Sequence, residues 1–115
     1  MAIVIFHNPN CSKSRATLDL IRAAGQEPTV VRYLGTGWTR PQLQALFAAA
    51  DLRPRDALRS ARGPARELGL LDEGTSDETI LDAMVAHPEL VERPLVCSPK
   101  GVRLCRPPER VRDLL

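Results

Sequence analysis

Aromatic residues are nearly absent from this chain: two phenylalanines, one tyrosine and one tryptophan occur in 115 residues. With a formal net charge of only +2, it has neither the stacking platform nor the charge density of a nucleic-acid binder. No run of about 18 or more uncharged apolar residues is present, so no membrane span is expected. The start lacks the ordered basic segment, apolar stretch and small-residue cleavage site of a signal peptide, and the expected location is the cytoplasm. Cys11, Cys97 and Cys105 are too few and too scattered for a secreted disulfide framework, and no C-x-x-C pair suggests zinc. Lysine stands only at positions 13 and 100. The basic side is therefore nearly all arginine, and an individual Arg is informative only beside another signal. The length leaves room for one domain, residues 1–115, with a real core, and 43% apolar content is ordinary for a globular chain.

The strongest positive signal is His7-Asn8-Pro9-Asn10-Cys11-Ser12-Lys13-Ser14-Arg15. Ahead of it, Ile3-Val4-Ile5-Phe6 is short, β-branched and apolar, as expected of a strand buried on both faces. Asn8-Pro9 breaks that strand, because Asn tolerates turn geometry and Pro cannot join a ladder. Leu18, Ile21 and Ala24 then follow at helical spacing, with Gly25 as a stop. Cys11 thus falls at a helix N-terminus, where unpaired N–H groups and the positive dipole end stabilise a thiolate. Lys13 and Arg15 add charge within reach. Buried cysteines also serve as small hydrophobes, but Cys11 has polar neighbours on both sides. His7 has two readings: a structural hydrogen-bonder, or a support for the thiolate.

Along the rest of the chain, Thr29-Val30-Val31-Arg32-Tyr33-Leu34 reads as a second strand, parallel to the first in a βαβ unit. Thr39 and Gln42 form a capping-box pattern ahead of Leu43, Leu46, Phe47 and Ala50 on one helix face. Residues 52–92 read as short helices interrupted at Pro54, Gly63-Pro64 and Gly69. Ser76 is the N-cap expected for a helix carrying Ile80, Leu81, Met84 and Val85, which ends before His87-Pro88. Pro94–Cys97 and Val102–Cys105 flank Ser98-Pro99-Lys100-Gly101 as an antiparallel hairpin, and Pro107-Pro108-Glu109 opens a last helix using Val111, Leu114 and Leu115.

The order βα, β, helices, ββα resembles an α/β, thioredoxin/glutaredoxin-like mixed sheet with a helical insertion at about 39–92. Four separated motifs narrow the resemblance: His7-Asn8-Pro9-x-Cys11-x-x-Ser14-Arg15, Glu67-Leu68-Gly69-Leu70, Glu92-Arg93-Pro94-Leu95-Val96 and Arg103-Leu104-Cys105-Arg106-Pro107. In this order they resemble the glutaredoxin-coupled arsenate reductase family, ArsC, and within it a short YfgD-like subgroup. That resemblance implies Cys11 as nucleophile, supported by His7 and Ser14. It implies an oxyanion site of Arg59, Arg93 and Arg106, with Asn8 and Arg15 from the first motif, and a cis peptide between Arg93 and Pro94. Guanidinium forks suit a tetrahedral oxyanion, and several cations also hold a thiol ionised. Arg59, taken by itself within Ala57-Leu58-Arg59-Ser60, reads as a solvated helix residue, and only the resemblance places it in the site. The implied substrate is arsenate or another oxyanion, with glutathione as co-substrate and glutaredoxin as partner. No bound cofactor, metal or nucleic acid is implied, and a monomer is expected.

The residue three after Cys11 is Ser14, so the motif C-x-x-S cannot close a disulfide on itself. An outside thiol or a distant cysteine, Cys105 beside Arg106 among them, must resolve any covalent intermediate. The spacing from Cys11 to Arg15 also differs from the C-x5-R of phosphatase-like arsenate reductases. Two other functions fit the same residues: a glutathione-dependent monothiol oxidoreductase acting on protein mixed disulfides, and a non-catalytic regulatory module that docks a partner.

Overall fold

The computed structural model describes residues 2–61 and 63–115. It divides into two compact units, Met1–Thr36 with Arg93–Leu115, and Gly37–Glu92.

The first unit is built on a four-stranded sheet in the order β2-β1-β3-β4. Strand β1 (Val4–Phe6) lies between β2 (Thr29–Val31), which runs parallel to it, and β3 (Leu95–Ser98), which runs antiparallel; β4 (Gly101–Leu104) closes the hairpin with β3. A β-branched, apolar β1 suits this central place, and Ile5 is completely buried. Parallel pairing of β1 and β2 requires a crossover, which helix α1 (Ser12–Ala23) supplies. One face of α1 places Leu18 and Ile21 against Ile3, Ile5, Val96, Cys105, Val111 and Leu114. Gly25, with φ +81, takes the chain out of α1 in the left-handed conformation that glycine accepts without strain. Ala24 is exposed rather than part of the core; Ser14 and Thr17 are the additional buried residues of the helix.

Two ends differ from the sequence expectation. Strand β2 stops at Val31, because its last rung is spent when the His7 N–H donates to the Val31 carbonyl at 2.7 Å. Tyr33–Thr36 then forms a single helical turn, α2, with Tyr33 buried. The C-terminal segment Pro108–Leu114 is 3₁₀ rather than α. Tight bonds such as Arg110 N–H to the Pro107 carbonyl, 3.1 Å, close it. It still buries Val111 and Leu114 as expected.

In the second unit, α3 (Arg40–Ala49) opens with the full capping box of Thr39 and Gln42 and buries Leu43, Leu46 and Phe47. Helix α4 (Asp77–Ala86) is capped by the Ser76 side chain and buries Ile80, Leu81 and Met84, while Val85 is exposed. Between them, Pro54–Ala57 is a short 3₁₀ turn. Residues 64–70 form hydrogen-bonded turns instead of a helix, among them Leu68 N–H to the Pro64 carbonyl at 2.9 Å and Leu70 N–H to the Ala65 carbonyl at 3.0 Å. Among the described residues no helix is long and apolar enough to cross a membrane.

Candidate active site

Cys11 is the residue at which extended chain becomes helix: its own backbone is extended (φ −100, ψ 122), and α1 begins at Ser12. Asn8 builds the turn that delivers it. The Asn8 carbonyl accepts the Cys11 N–H at 3.0 Å, and the Asn8 side-chain Oδ1 accepts the Asn10 N–H at 3.0 Å. Arg15 closes over the loop by donating from Nη1 to the Pro9 carbonyl at 2.8 Å.

The electrostatics of the Cys11 thiol are a contest. Burial pushes its pKa up, but the Arg93 guanidinium and the backbone N–H groups of Ser14 and Lys13 act on the sulfur in the other direction, and the net shift is downward. The contribution of Lys13 is therefore its backbone N–H at the open helix end. Its side-chain charge, which the sequence suggests, is not among these causes.

Arg93 is itself buried, and its Nε and Nη1 have no hydrogen-bond partner among the described residues. A buried guanidinium N–H without a partner is unfavourable in an isolated protein. Here two of them stand on the cation that faces the Cys11 sulfur. The Arg93 carbonyl accepts from Arg106 Nη1 at 3.0 Å, which ties the second arginine to the same stretch of backbone. Peptides Arg93-Pro94 and Arg106-Pro107 are both cis; the family resemblance implies the first, and no reading of the sequence gave the second.

His7 and Ser14 form a buried pair, with His7 Nδ1 and Ser14 Oγ 2.6 Å apart. Ser14 Oγ also accepts the Asn8 N–H at 3.1 Å. Burial lowers the His7 pKa, and the charges of Arg32, Arg22 and Arg15 lower it further. The imidazole is therefore neutral at physiological pH and serves the loop through Ser14. Ser14 works twice, with its side chain on the loop and its backbone N–H on the sulfur.

Cys105 lies elsewhere in the same unit. Its thiol is wholly buried within the apolar core, and burial pushes its pKa up to about 12. Being next to Arg106 in sequence does not bring this thiol to the anion site, because Cys105 packs inward with Val96 and Ile5. Cys97 is half-buried, and burial raises its pKa as well. All three cysteines are free thiols.

Cys11, His7, Asn8, Ser14, Arg15, Arg93 and Arg106 thus share one unit. Arg59 belongs to the other, where it is half-buried and its N–H donates to the Leu90 carbonyl at 2.7 Å. Sequence reasoning missed the unpartnered nitrogens of Arg93, for which no sequence signal exists. It also missed Arg32, whose signal is its place at the end of the strand beside β1.

The ArsC family model matches residues 6–114. The chain belongs to the ArsC family. The arsenate reductase ArsI2 of Synechocystis sp. is 63% identical over 113 residues, which cover 98% of this chain and 81% of that protein. An arsenate reductase of Rhizobium meliloti is 53% identical over 115 residues, all of this chain and 82% of that one. Among solved structures, an arsenate reductase from Vibrio cholerae matches with a TM-score of 0.94 at 40% identity, over 100% of this chain and 98% of the other. The ArsC fold of this chain is thioredoxin-like, with Cys11 on the loop between β1 and α1.

Proposed function

We propose that this protein reduces arsenate to arsenite through the Cys11 thiolate, with glutathione and glutaredoxin supplying the electrons. One observation carries the reading: a thiol whose pKa is lowered at a helix N-terminus faces a buried arginine with two unpartnered N–H donors. Those donors lack an anion, and a tetrahedral oxyanion supplies acceptors of matching geometry. The names of the relatives support arsenate as that anion.

In the proposed reaction, the Cys11 sulfur attacks arsenic, a sulfur–arsenic bond forms, and one arsenate oxygen leaves as water after taking up protons. Arg93, with Arg106, holds the remaining oxygens as charge accumulates on them. Glutathione thiolate then attacks the Cys11 sulfur. The electron pair of the sulfur–arsenic bond stays on arsenic, which leaves as arsenite, and a Cys11–glutathione disulfide remains. A glutaredoxin thiol takes over the glutathionyl group and restores Cys11, and a second glutathione regenerates glutaredoxin. The sum is one arsenate and two glutathiones giving arsenite, glutathione disulfide and water.

The test is an NADPH-coupled assay with glutathione, glutathione reductase and glutaredoxin, comparing arsenate, phosphate and a small mixed disulfide. Arsenate-dependent NADPH oxidation with stoichiometric arsenite is the expected result. Turnover of the mixed disulfide without turnover of arsenate would transfer the function to protein or small-molecule thiol exchange.

A further inference from the structure

Charge is divided unevenly between the two units. Met1–Thr36 with Arg93–Leu115 carries ten Lys and Arg against four Asp and Glu, a net +6, whereas Gly37–Glu92 carries six against ten, a net −4. Within the positive unit two exposed arginines flank His7. Arg15 lies one helical turn beyond Cys11, with its N–H on the Cys11 carbonyl at 3.0 Å and its Nη1 fixed on the Pro9 carbonyl at 2.8 Å. Arg32 directly follows Val31, whose carbonyl takes the His7 N–H at 2.7 Å. Both charges are felt at the His7 ring. Neither arginine makes an ion pair among the described residues, whereas the exposed Arg22 and Arg103 of the same unit are paired with Glu27 and Asp113. The loop that carries the nucleophile is thus bordered by cations that no carboxylate of the unit neutralises.

We propose that Arg32, together with Arg15, receives the carboxylates of glutathione while its sulfur reacts at Cys11. The inference rests on the reading that glutathione is the reductant, and it assigns the residues that recognise it. Glutathione has two carboxylates and one ammonium group, so the part that does not react is an anion. Its glycyl carboxylate lies one residue from the cysteine, within about 7 Å at roughly 3.3–3.6 Å per residue. A helical turn, about 5.4 Å, separates Cys11 from Arg15, which is within that reach, and Arg32 follows the strand residue that binds the His7 N–H at the start of the same loop.

Thiol–disulfide exchange tests this without arsenate. The Cys11 thiolate attacks glutathione disulfide, a bond to one glutathionyl sulfur forms, the disulfide bond breaks, and one glutathione thiolate leaves. The rate is compared with that of uncharged hydroxyethyl disulfide at low ionic strength. Arg32→Glu is expected to slow the glutathione reaction roughly tenfold while changing the hydroxyethyl disulfide rate by less than about twofold. Arg112→Glu makes the same charge change on the C-terminal 3₁₀ segment, at an exposed residue whose charge is not felt at His7, and is expected to slow the glutathione reaction far less. Three results overturn the proposal: an unchanged glutathione rate in Arg32→Glu, an equal loss with the neutral disulfide, or an equal loss in Arg112→Glu. If Arg32→Glu instead slows only reduction by glutaredoxin, the rim belongs to a protein partner and the proposal fails. Failure of the arsenate reading is visible separately, as glutathione selectivity that persists in an enzyme making no arsenite.

Discussion

The turn into α1 and the end of β4 each present a buried cysteine, and the two environments drive the thiols in opposite directions. Cys105 sits wholly inside the apolar core, where burial outweighs the opposing charges of Arg110 and Arg103, and its pKa is pushed up to about 12. Cys11 also has little exposed surface, yet Arg93 and the N–H groups of Ser14 and Lys13 overcome its burial penalty. Burial by itself therefore does not separate an inert thiol from a nucleophile. The separation comes from whether donors converge on the sulfur.

The largest effect expected from this contrast is on turnover. Cys11→Ser abolishes arsenate reduction, because a serine hydroxyl at neutral pH is a far weaker nucleophile than a thiolate. Cys105→Ser keeps most of the activity but places a hydroxyl in an apolar core, destabilising the fold by about 1–3 kcal/mol. The coupled assay and urea unfolding read the two separately. Loss of turnover in Cys105→Ser at undiminished stability, together with a Cys11–Cys105 disulfide by mass spectrometry, would break the comparison and make the core thiol a redox partner.

Next in size is Arg93. Arg93→Ala should lower kcat/KM for arsenate at least tenfold, since a charge-assisted contact contributes about 1.5–3 kcal/mol. It should also move the pH midpoint of Cys11 alkylation by iodoacetamide upward, because the guanidinium opposes the burial penalty. Arg93→Lys should rescue only part of the activity, keeping the charge but losing the fork. Wild-type efficiency in Arg93→Ala at equal thermal stability would remove the anion site from the reading.

The contrast between the thiols should also appear in stability against pH. The folded-state pKa of Cys11 is depressed, so its contribution is complete above the unfolded value of about 8.5 and is lost as pH falls through the folded pKa. The folded pKa of Cys105 is raised, so between about 8.5 and 12 the unfolded state ionises first and stability falls as pH rises, by up to about 1.4 kcal/mol per pH unit. Urea unfolding between pH 8 and 10.5 should therefore show Cys105→Ala losing less stability with pH than the wild type. Parallel curves would mean that Cys105 is not sealed from water.

Much of this was legible in the sequence, for identifiable reasons. The β1 run, the Thr39–Gln42 and Ser76 caps, the hairpin around Pro99-Lys100 and the placement of Cys11 before α1 all depend on local chemistry, and the structure has each of them. The misread ends depend on partners distant in sequence. Thr29–Leu34 is strand-like throughout, but β2 lasts only as long as the three residues of β1 that pair with it. Ala24 and Val85 fit the helical period and still face water. At the site, the cysteine and the candidate arginines were readable from motifs. The downward shift at Cys11, the neutral His7 and the inward-packed Cys105 were not, because each is set by what surrounds the side chain.

The smallest expected effect separates the two uses of Ser14. Its Oγ holds the Asn8 N–H and pairs with His7, while its backbone N–H acts on the Cys11 sulfur. Ser14→Ala removes only the first use. It leaves a buried N–H and an imidazole nitrogen without partners, a loss of about 1–3 kcal/mol in stability, whereas the N–H that supports the thiolate remains. The midpoint of Cys11 alkylation should therefore move less in Ser14→Ala than in Arg93→Ala, even though Ser14→Ala is the less stable protein. The reverse order of midpoints would mean that the serine hydroxyl, and not the guanidinium beside it, is the main group holding the Cys11 thiol ionised.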